Sequence, residues 1–311
     1  MPQLAESPLP VSDRPRRFRL PACAAQRTCP RCQSNQTHGN GSFRWKNGTR
    51  RPRFLCRACG VSYNPNTGSA LHYLKKREAW ARQAGGLGRA LSVRRMASDL
   101  GVSPATAFAW RHRVMRRLVQ RPQPVLQGPT AVGEMHVPYS EKGSRSTNGP
   151  GAWGSKRDGR PFRRLRDGKA SCVLLAAAEK VQTALVVGQG RPTVNELTAG
   201  LARILGSGAS VQPCGWAPYA QACQSLGIKL GEDGPVGHVY SLARRIFAWL
   251  TGFHGVATRY LSHYLTWHRY ARRGPADPAE LGRRMLAEAA IPGLLANSSL
   301  EQKLKLERNG H

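Results

Sequence analysis

The 311-residue chain is short of acid. It carries 17 Asp+Glu against 48 Lys+Arg, a formal net charge of +31, and its sequence pI is near 11.2. Few carboxylates are left to hold hard divalent cations, and so large a positive surplus calls for a polyanionic partner. Long apolar runs are missing too: none approaches the ~18 residues of a membrane helix, the longest covering only 172–178. The charged, Pro-rich first residues contain no apolar segment of the secretory-signal kind. These absences argue against a membrane partner and predict a soluble, cytoplasmic protein. Cysteine is sparse as well, with eight in the chain. Four of them form two Cys-x-x-Cys pairs and the rest are scattered, a pattern that suits metal binding better than a secreted disulfide scaffold. Hydrophobic residues make up 40 % of the sequence, which excludes wholesale disorder, and the length accommodates two or three domains of roughly 100–200 residues.

The positive charge is uneven. Residues 1–124 hold 24 basic and 4 acidic side chains, whereas 125–311 hold 24 basic and 13 acidic. Within the second part, 142–169 carries nine Lys/Arg against Asp158 and Asp167 and is rich in Gly, Ser and Pro. It reads as a flexible basic loop. One such run is ordinarily a solvated face, but several in one acid-poor chain favour phosphate neutralisation.

Cys29 and Cys32 stand two residues apart, and Cys56 and Cys59 repeat the spacing after 23 intervening residues. Two such knuckles supply four thiolates for a tetrahedral zinc site, predicting a zinc ribbon over 27–66 with short strands between them. Four protein ligands leave no open position, so the zinc is expected to be structural. Arg44, Lys46, Arg50, Arg51 and Arg53, interleaved with Phe43, Trp45 and Phe54, suit a nucleic-acid backbone and its bases; the aromatics equally suit a cover for the ribbon.

Val93, Met96, Ala97 and Leu100 fall at helical spacing before Gly101 and Val102, and Ser103-Pro104 then opens a second helix with Ala107, Trp110, Val114 and Leu118 on its apolar stripe. This predicts a helix-turn-helix within a domain spanning 74–120, whose second helix would offer Ser103, Thr106, Arg111, Arg113 and Arg117 to the major groove. An ordinary helical hairpin shares the spacing, and the neighbouring ribbon and basic excess favour DNA.

After a linker at 121–130, a strand is expected over 131–137, then the basic loop, two strands in ASCVLLAAAE and VQTALVV, a helix over 193–205, a strand near 210–213 and a helix over 219–226. Strands followed by alternating units predict a mixed α/β sheet. Two helices flanking Gly252–Gly255 follow, their aromatics Phe247, Trp249, Phe253, Tyr260, Tyr264 and Trp267 reading as packing. His254, His263 and His268 lack ligand geometry, and a last helix is expected at 279–290.

The segments CPRC, RFLCRACGVSYNPNTGSAL, LSVRRMASDLGVSPATAFAWRHR, EKGSR, APYAQACQSLGI and FHGVATRYLSHYLTWHR resemble bacterial insertion-sequence transposases of the ISXO-like kind over the span from Cys29 to about Tyr270. The resemblance implies a multidomain chain: an N-terminal tail (1–26), a small zinc ribbon, an all-α helix-turn-helix, an α/β RNase H-like mixed-sheet domain (131–273), and a C-terminal helix and tail (274–311). It also implies recognition of double-stranded DNA at terminal inverted repeats, homo-oligomers on paired ends, a nucleoid-associated location, and DNA cutting and joining with two Mg or Mn ions held by an Asp-Asp-Glu or Asp-Asp-Asn triad. Aligned on those segments, the triad positions fall on Gly133, on Cys214 and near Tyr240, within 236–242. None is a carboxylate. Two-metal phosphoryl transfer needs acids that hold two cations about 3.5–4 Å apart, so catalysis is expected to be impaired. An active transposase with displaced acids, a non-catalytic regulator and an RNA-binding module remain alternatives. Glu134, one step along the strand from position 133, is expected on the opposite face.

Overall fold

The computed structural model describes residues 28–44, 48, 50–72, 76, 79–140, 170–214 and 218–291. The basic loop at 142–169, the tails, and Trp45, Lys46, Gly215 and Trp216 lie outside them. Helices and two sheets are mixed, and the chain divides into two compact units, one carrying the ribbon and the other running Ala84–Ala289.

In the ribbon, β1 (Thr37–Arg44) pairs antiparallel with β2 (Arg50–Cys56), which pairs with β3 (Ser62–Tyr63). Its apolar interior is little more than Cys29, Cys56 and Tyr63, with Phe54, Cys59 and Val61 against them. So small a core cannot offset the entropy of ordering about 40 residues without a cross-link.

The second unit begins within α1 (Ala79–Gly88) and continues through α2 (Val93–Leu100) and α3 (Pro104–Val119). Gly101, in the left-handed region at φ +62°, closes α2: its N–H donates to the Ser98 carbonyl at 3.2 Å and the Val102 N–H to Ala97 at 3.1 Å. Ser103 then accepts from the Thr106 N–H at 3.2 Å, with Pro104 in the first turn. The turn chemistry read from the sequence is therefore the one that separates the two helices.

A five-stranded sheet follows, built from β4 (Leu126–Pro138), β5 (Ala170–Ala177), β6 (Gln182–Gln189), β7 (Leu205–Pro213) and β8 (Lys229–Leu230) in the order β6-β5-β4-β7-β8. β5 runs antiparallel to β4 and to β6, whereas β7 is parallel to β4 and β8 to β7. β4 starts inside the expected linker, because Leu126 already pairs with Leu205. β7 likewise starts at Leu205: its Gly-Ser-Gly segment has poor strand propensity and bulges between the Leu126–Leu205 and Gly128–Ala209 pairs. All eight residues of β5 are buried, as expected of a strand with helices on both faces.

One face of the sheet packs Val132, Leu174, Ala176 and Val211 against Leu197 and Leu201 of α4 (Val194–Ala202) and Tyr219, Ala222 and Cys223 of α5 (Pro218–Ser225). The other carries α6 (Val236–Thr251) over β4 and β5 and α7 (Leu261–Arg273) over β6. The helix-turn-helix is fused to this layer. The Trp267 indole N–H donates to the Leu87 carbonyl at 3.0 Å, the Arg111 guanidinium lies 5.0 Å from the Trp267 ring centre, and Phe108 meets Tyr260 edge to face at 5.3 Å. The last helix, α8 (Pro278–Ala290), packs backbone to backbone on α1: an added Cβ at Gly282 would lie 1.8 Å from the Ala84 carbonyl oxygen. Trp249, Phe253, Tyr264 and Trp267 pack as expected, but Phe247 is 63 % exposed. It sits on the outer side of α6, away from the sheet.

His112 Nδ1 lies 2.7 Å from His263 Nδ1, so one ring donates and the other accepts. Burial, then His263, Arg111, Arg116 and Arg259, hold His112 down at about 3; burial and Arg116 hold His263 at about 4; burial, Arg272 and Arg245 hold His268 at about 4. Each folded value lies below the unfolded one near 6.5, so the unfolded chain takes up protons first as pH falls, and stability is lost below pH 6.5. Between pH 7 and 5, where most carboxylates are silent, denaturant unfolding should show stability falling by up to ~1.4 kcal/mol per pH unit for each histidine. His112→Phe should flatten the slope; a pH-independent midpoint for the parent contradicts the assignment.

Candidate functional site

The ribbon knuckles are built alike. The Gln33 N–H donates to the Cys29 carbonyl and the Gly60 N–H to Cys56, both at 2.9 Å; the Cys29 and Cys56 N–H groups donate in turn to Ser34 and Val61, both at 3.0 Å. Gln33 and Gly60 both have positive φ, 62° and 69°, and Gly takes this conformation without strain while Gln does not. The two turns aim four sulfurs inward. Cys29 Sγ is 3.6 Å from Cys59 Sγ, Cys32 Sγ is 3.6 Å from Cys56 Sγ, and all four lie within 4.8 Å of one another. Zn–S bonds of about 2.3 Å set tetrahedral S···S distances near 3.8 Å, so the donor set fits structural zinc, as expected for these cysteines. Although the Val61 amide favours its thiolate, burial and its three thiol neighbours push Cys59 up to about 12. Despite burial, Cys56 drops to about 7, because the Cys59 and Ala58 amides and the Cys32 thiol donate to it.

On α3 the expected nucleic-acid face is only partly as read. Ser103 is exposed and Thr106, Arg113 and Arg117 are partly so. Arg111 is not on it: it is 1 % exposed, its guanidinium bonded to the Leu91 carbonyl and stacked on Trp267. Its position one turn after Ala107 and one before Met115 puts it on the inward stripe, where the long guanidinium reaches across to α7. Arg116, which the sequence pattern does not single out, is exposed. Burial and then Arg117 and Arg116 lower the Arg113 guanidinium, so Arg113, Arg116 and Arg117 form a self-repelling cluster that an anion would relieve. Arg117 also donates to Gln120 at 3.0 Å.

Of the three positions aligned with a metal triad, 133 and 214 adjoin, while Tyr240 does not reach them. An ideal Cβ on Gly133 would lie 3.1 Å from Val239 Cγ1, 3.3 Å from Cys214 Cβ and 3.7 Å from Cys214 Sγ. β4, the end of β7 and the first turns of α6 therefore meet at one point, and the residue of the 236–242 window that meets position 133 is Val239, while Tyr240 is 61 % exposed. The donors do not fit magnesium or manganese, which take oxygen ligands: one position has no side chain, one is hydrocarbon, and the Cys214 thiol is held up by burial and by Glu134. Glu134 projects to the opposite face, where Tyr219 Oη donates to its carboxylate at 2.7 Å. Among the described residues the four ribbon cysteines are the only group of three or more His, Cys, Asp or Glu ligands brought together.

No family model and no curated protein matches the chain.

Zinc analysis of the purified protein should give one ion per chain, and Cys56→Ser should lose it. Zinc-finger-sized sites supply about 10–16 kcal/mol to folding, so the variant's 28–72 segment should become protease-sensitive while the Ala84–Ala289 unit keeps its thermal transition. A zinc-free, protease-resistant ribbon would refute the metal assignment.

Proposed function

We propose that the chain is a transposase-derived DNA-binding protein that recognises the terminal inverted repeats of an insertion sequence, with strand-transfer chemistry impaired. The observation that carries this reading is the meeting of positions 133 and 214, against Val239 of the 236–242 window, at a point without an oxygen ligand, in a chain whose capped α3 still presents Ser103, Thr106, Arg113, Arg116 and Arg117. The mixed five-stranded sheet supports the RNase H-like part of the resemblance, and the four-cysteine cluster supports its ribbon. α3 would enter the major groove by its N-terminal half while the arginines toward its C-terminus take backbone phosphates. Self-association on paired DNA ends, and a cytoplasmic, nucleoid-associated location, follow from the same reading. Two of the domain's acids are engaged elsewhere, Glu134 by Tyr219 and Glu196 in the capping box of α4.

Two measurements test the proposal. Arg113→Ala with Arg116→Ala should weaken binding to a terminal-repeat duplex about tenfold or more at moderate salt. It should also make the log–log salt slope shallower by about 0.9 for each phosphate that is no longer neutralised. Unchanged affinity and slope would remove α3 from the interface, and a preference for RNA over duplex DNA would favour an RNA-binding module instead. Nicking and strand-transfer assays in Mg²⁺ and in Mn²⁺ should show no metal-dependent product. A robust one would establish displaced acids. Gly133→Asp with Cys214→Asp should also stay inactive, because Val239 supplies no third ligand and the new side chain at 133 meets its Cγ1 at 3.1 Å.

A further inference from the structure

Within the Ala84–Ala289 unit, two adjoining hollows of about 450 and 130 Å³ share Arg269 and Arg273. The larger lies between the 122–124 segment, the end of α7 and α8; the smaller runs on between β6 and α7 to Lys180 and Arg272. We propose that this cleft is a binding site for phosphate groups, sized for a polyphosphate or for a short stretch of nucleic-acid backbone, and separate from the exposed side of α3.

Charge, shape and preorganisation support the site. Lys180, Arg269, Arg272, Arg273 and Arg284 all line it, and its one carboxylate, Glu288, is already taken by Arg284 at 3.1 Å and by the Tyr270 hydroxyl. Arg272 and Arg273 have no ion pair to a described acid. Part of their role is to offset the carbonyl end of α7, but a helix dipole amounts to only about half a negative charge. Like charges crowd the walls: after burial, Arg272 and Arg244 lower Arg245, whose guanidinium donates to Gln182 Oε1 at 2.6 Å at the cleft, and Arg272 lowers His268 beneath it. Arg269, at the junction, is held by Gln123 Oε1 and lies 5.6 Å from the Tyr270 ring centre. Its fork is therefore oriented before any ligand arrives, and guanidinium suits the bidentate geometry of phosphate oxygens. A volume of about 450 Å³ falls within the range of small-ligand sites. The proposal stands whether or not α3 binds DNA.

The test uses the full-length, zinc-loaded protein and sodium tripolyphosphate, read by calorimetry and by thermal shift. Saturable binding with a raised melting temperature is expected. Arg272→Gln with Arg273→Gln, both exposed residues, should weaken it at least tenfold. Arg203→Gln with Lys229→Gln, which removes equal charge elsewhere on the unit, should change it less than twofold. Circular dichroism and the ligand-free melting temperature verify folding; if the double variant is destabilised, Lys180→Gln takes its place, with a several-fold loss expected. Equal affinities in cleft and control variants, or no saturable binding by the parent, would overturn the site. Duplex DNA then identifies the source of the phosphates: displacement of tripolyphosphate by duplex marks the cleft as a backbone contact, and simultaneous binding marks a free polyphosphate ligand.

Discussion

The Trp267 side chain, 1 % exposed, donates its indole N–H to the Leu87 carbonyl, carries the Arg111 guanidinium over its ring and meets the Trp249 indole edge to face. One residue of α7 thus touches α1, α3 and α6. Burying a guanidinium costs several kcal/mol unless its charge and donors are satisfied. Here the ring face, the Leu91 carbonyl and Tyr264 offset part of that cost, and the Arg111 Nε is buried without a hydrogen-bond partner. The same contact fixes α3 by its inner side, so the helix pair is braced by the sheet layer. The paired imidazoles of His112 and His263 extend the contact one turn further along α7, and the bare guanidinium groups of α3 are left pointing outward.

On the transposase-derived reading proposed above, the scaffold and its chemistry would rest on different residues. Three carboxylates brought together without cations repel one another, and each resists losing its water. Gly133, Cys214 and Val239 remove that repulsion and substitute close apolar packing between β4, β7 and α6. Glycine at 133 lets Val239 of α6 approach the strand to a distance at which a side chain would crowd it. α6 thereby crosses close over β4 at this point.

Legibility in the sequence followed how local each signal was. The two Cys-x-x-Cys knuckles and the Ser-capped, Gly-interrupted helix pair are set by neighbours a few residues apart, and they fold as read. The start of β4 at Leu126 and of β7 at Leu205 was not legible, since the residues there take strand geometry from each other across the sheet. Arg111 was misplaced for a related reason: a basic residue at that spacing belongs on the surface unless an aromatic from a distant helix receives it, and Trp267 lies 156 positions along the chain. The alignment pointed to 133 and 214 but to Tyr240 rather than Val239, one residue along α6 and on another side of it, whereas the face taken by Glu134 followed from strand alternation alone. Nothing local marked the basic cleft, whose walls come from the 122–124 segment, β6, α7 and α8.

The scarcity of acid sets how the positive charge can be balanced. Many of the carboxylates are committed to local work. Asp99 pairs with Arg89 and Arg95, Glu196 caps α4, Asp277 accepts the first N–H groups of α8, Glu280 pairs with Arg283, and Glu288 is shared by Arg284 and Tyr270. Several of these are exposed pairs worth no more than about 1 kcal/mol, and they trim helices rather than neutralise patches. On the outer side of α3 and in the cleft beside α7, guanidinium groups instead face one another. Their mutual repulsion is a standing cost to the folded chain, and Asp99, Glu196, Asp277, Glu280 and Glu288 could relieve it only by vacating a cap, an ion pair or a hydrogen bond. On the readings proposed above, counter-charge from outside would relieve it at both places, and planar, forked donors suit phosphate oxygens better than they suit chloride or bulk water.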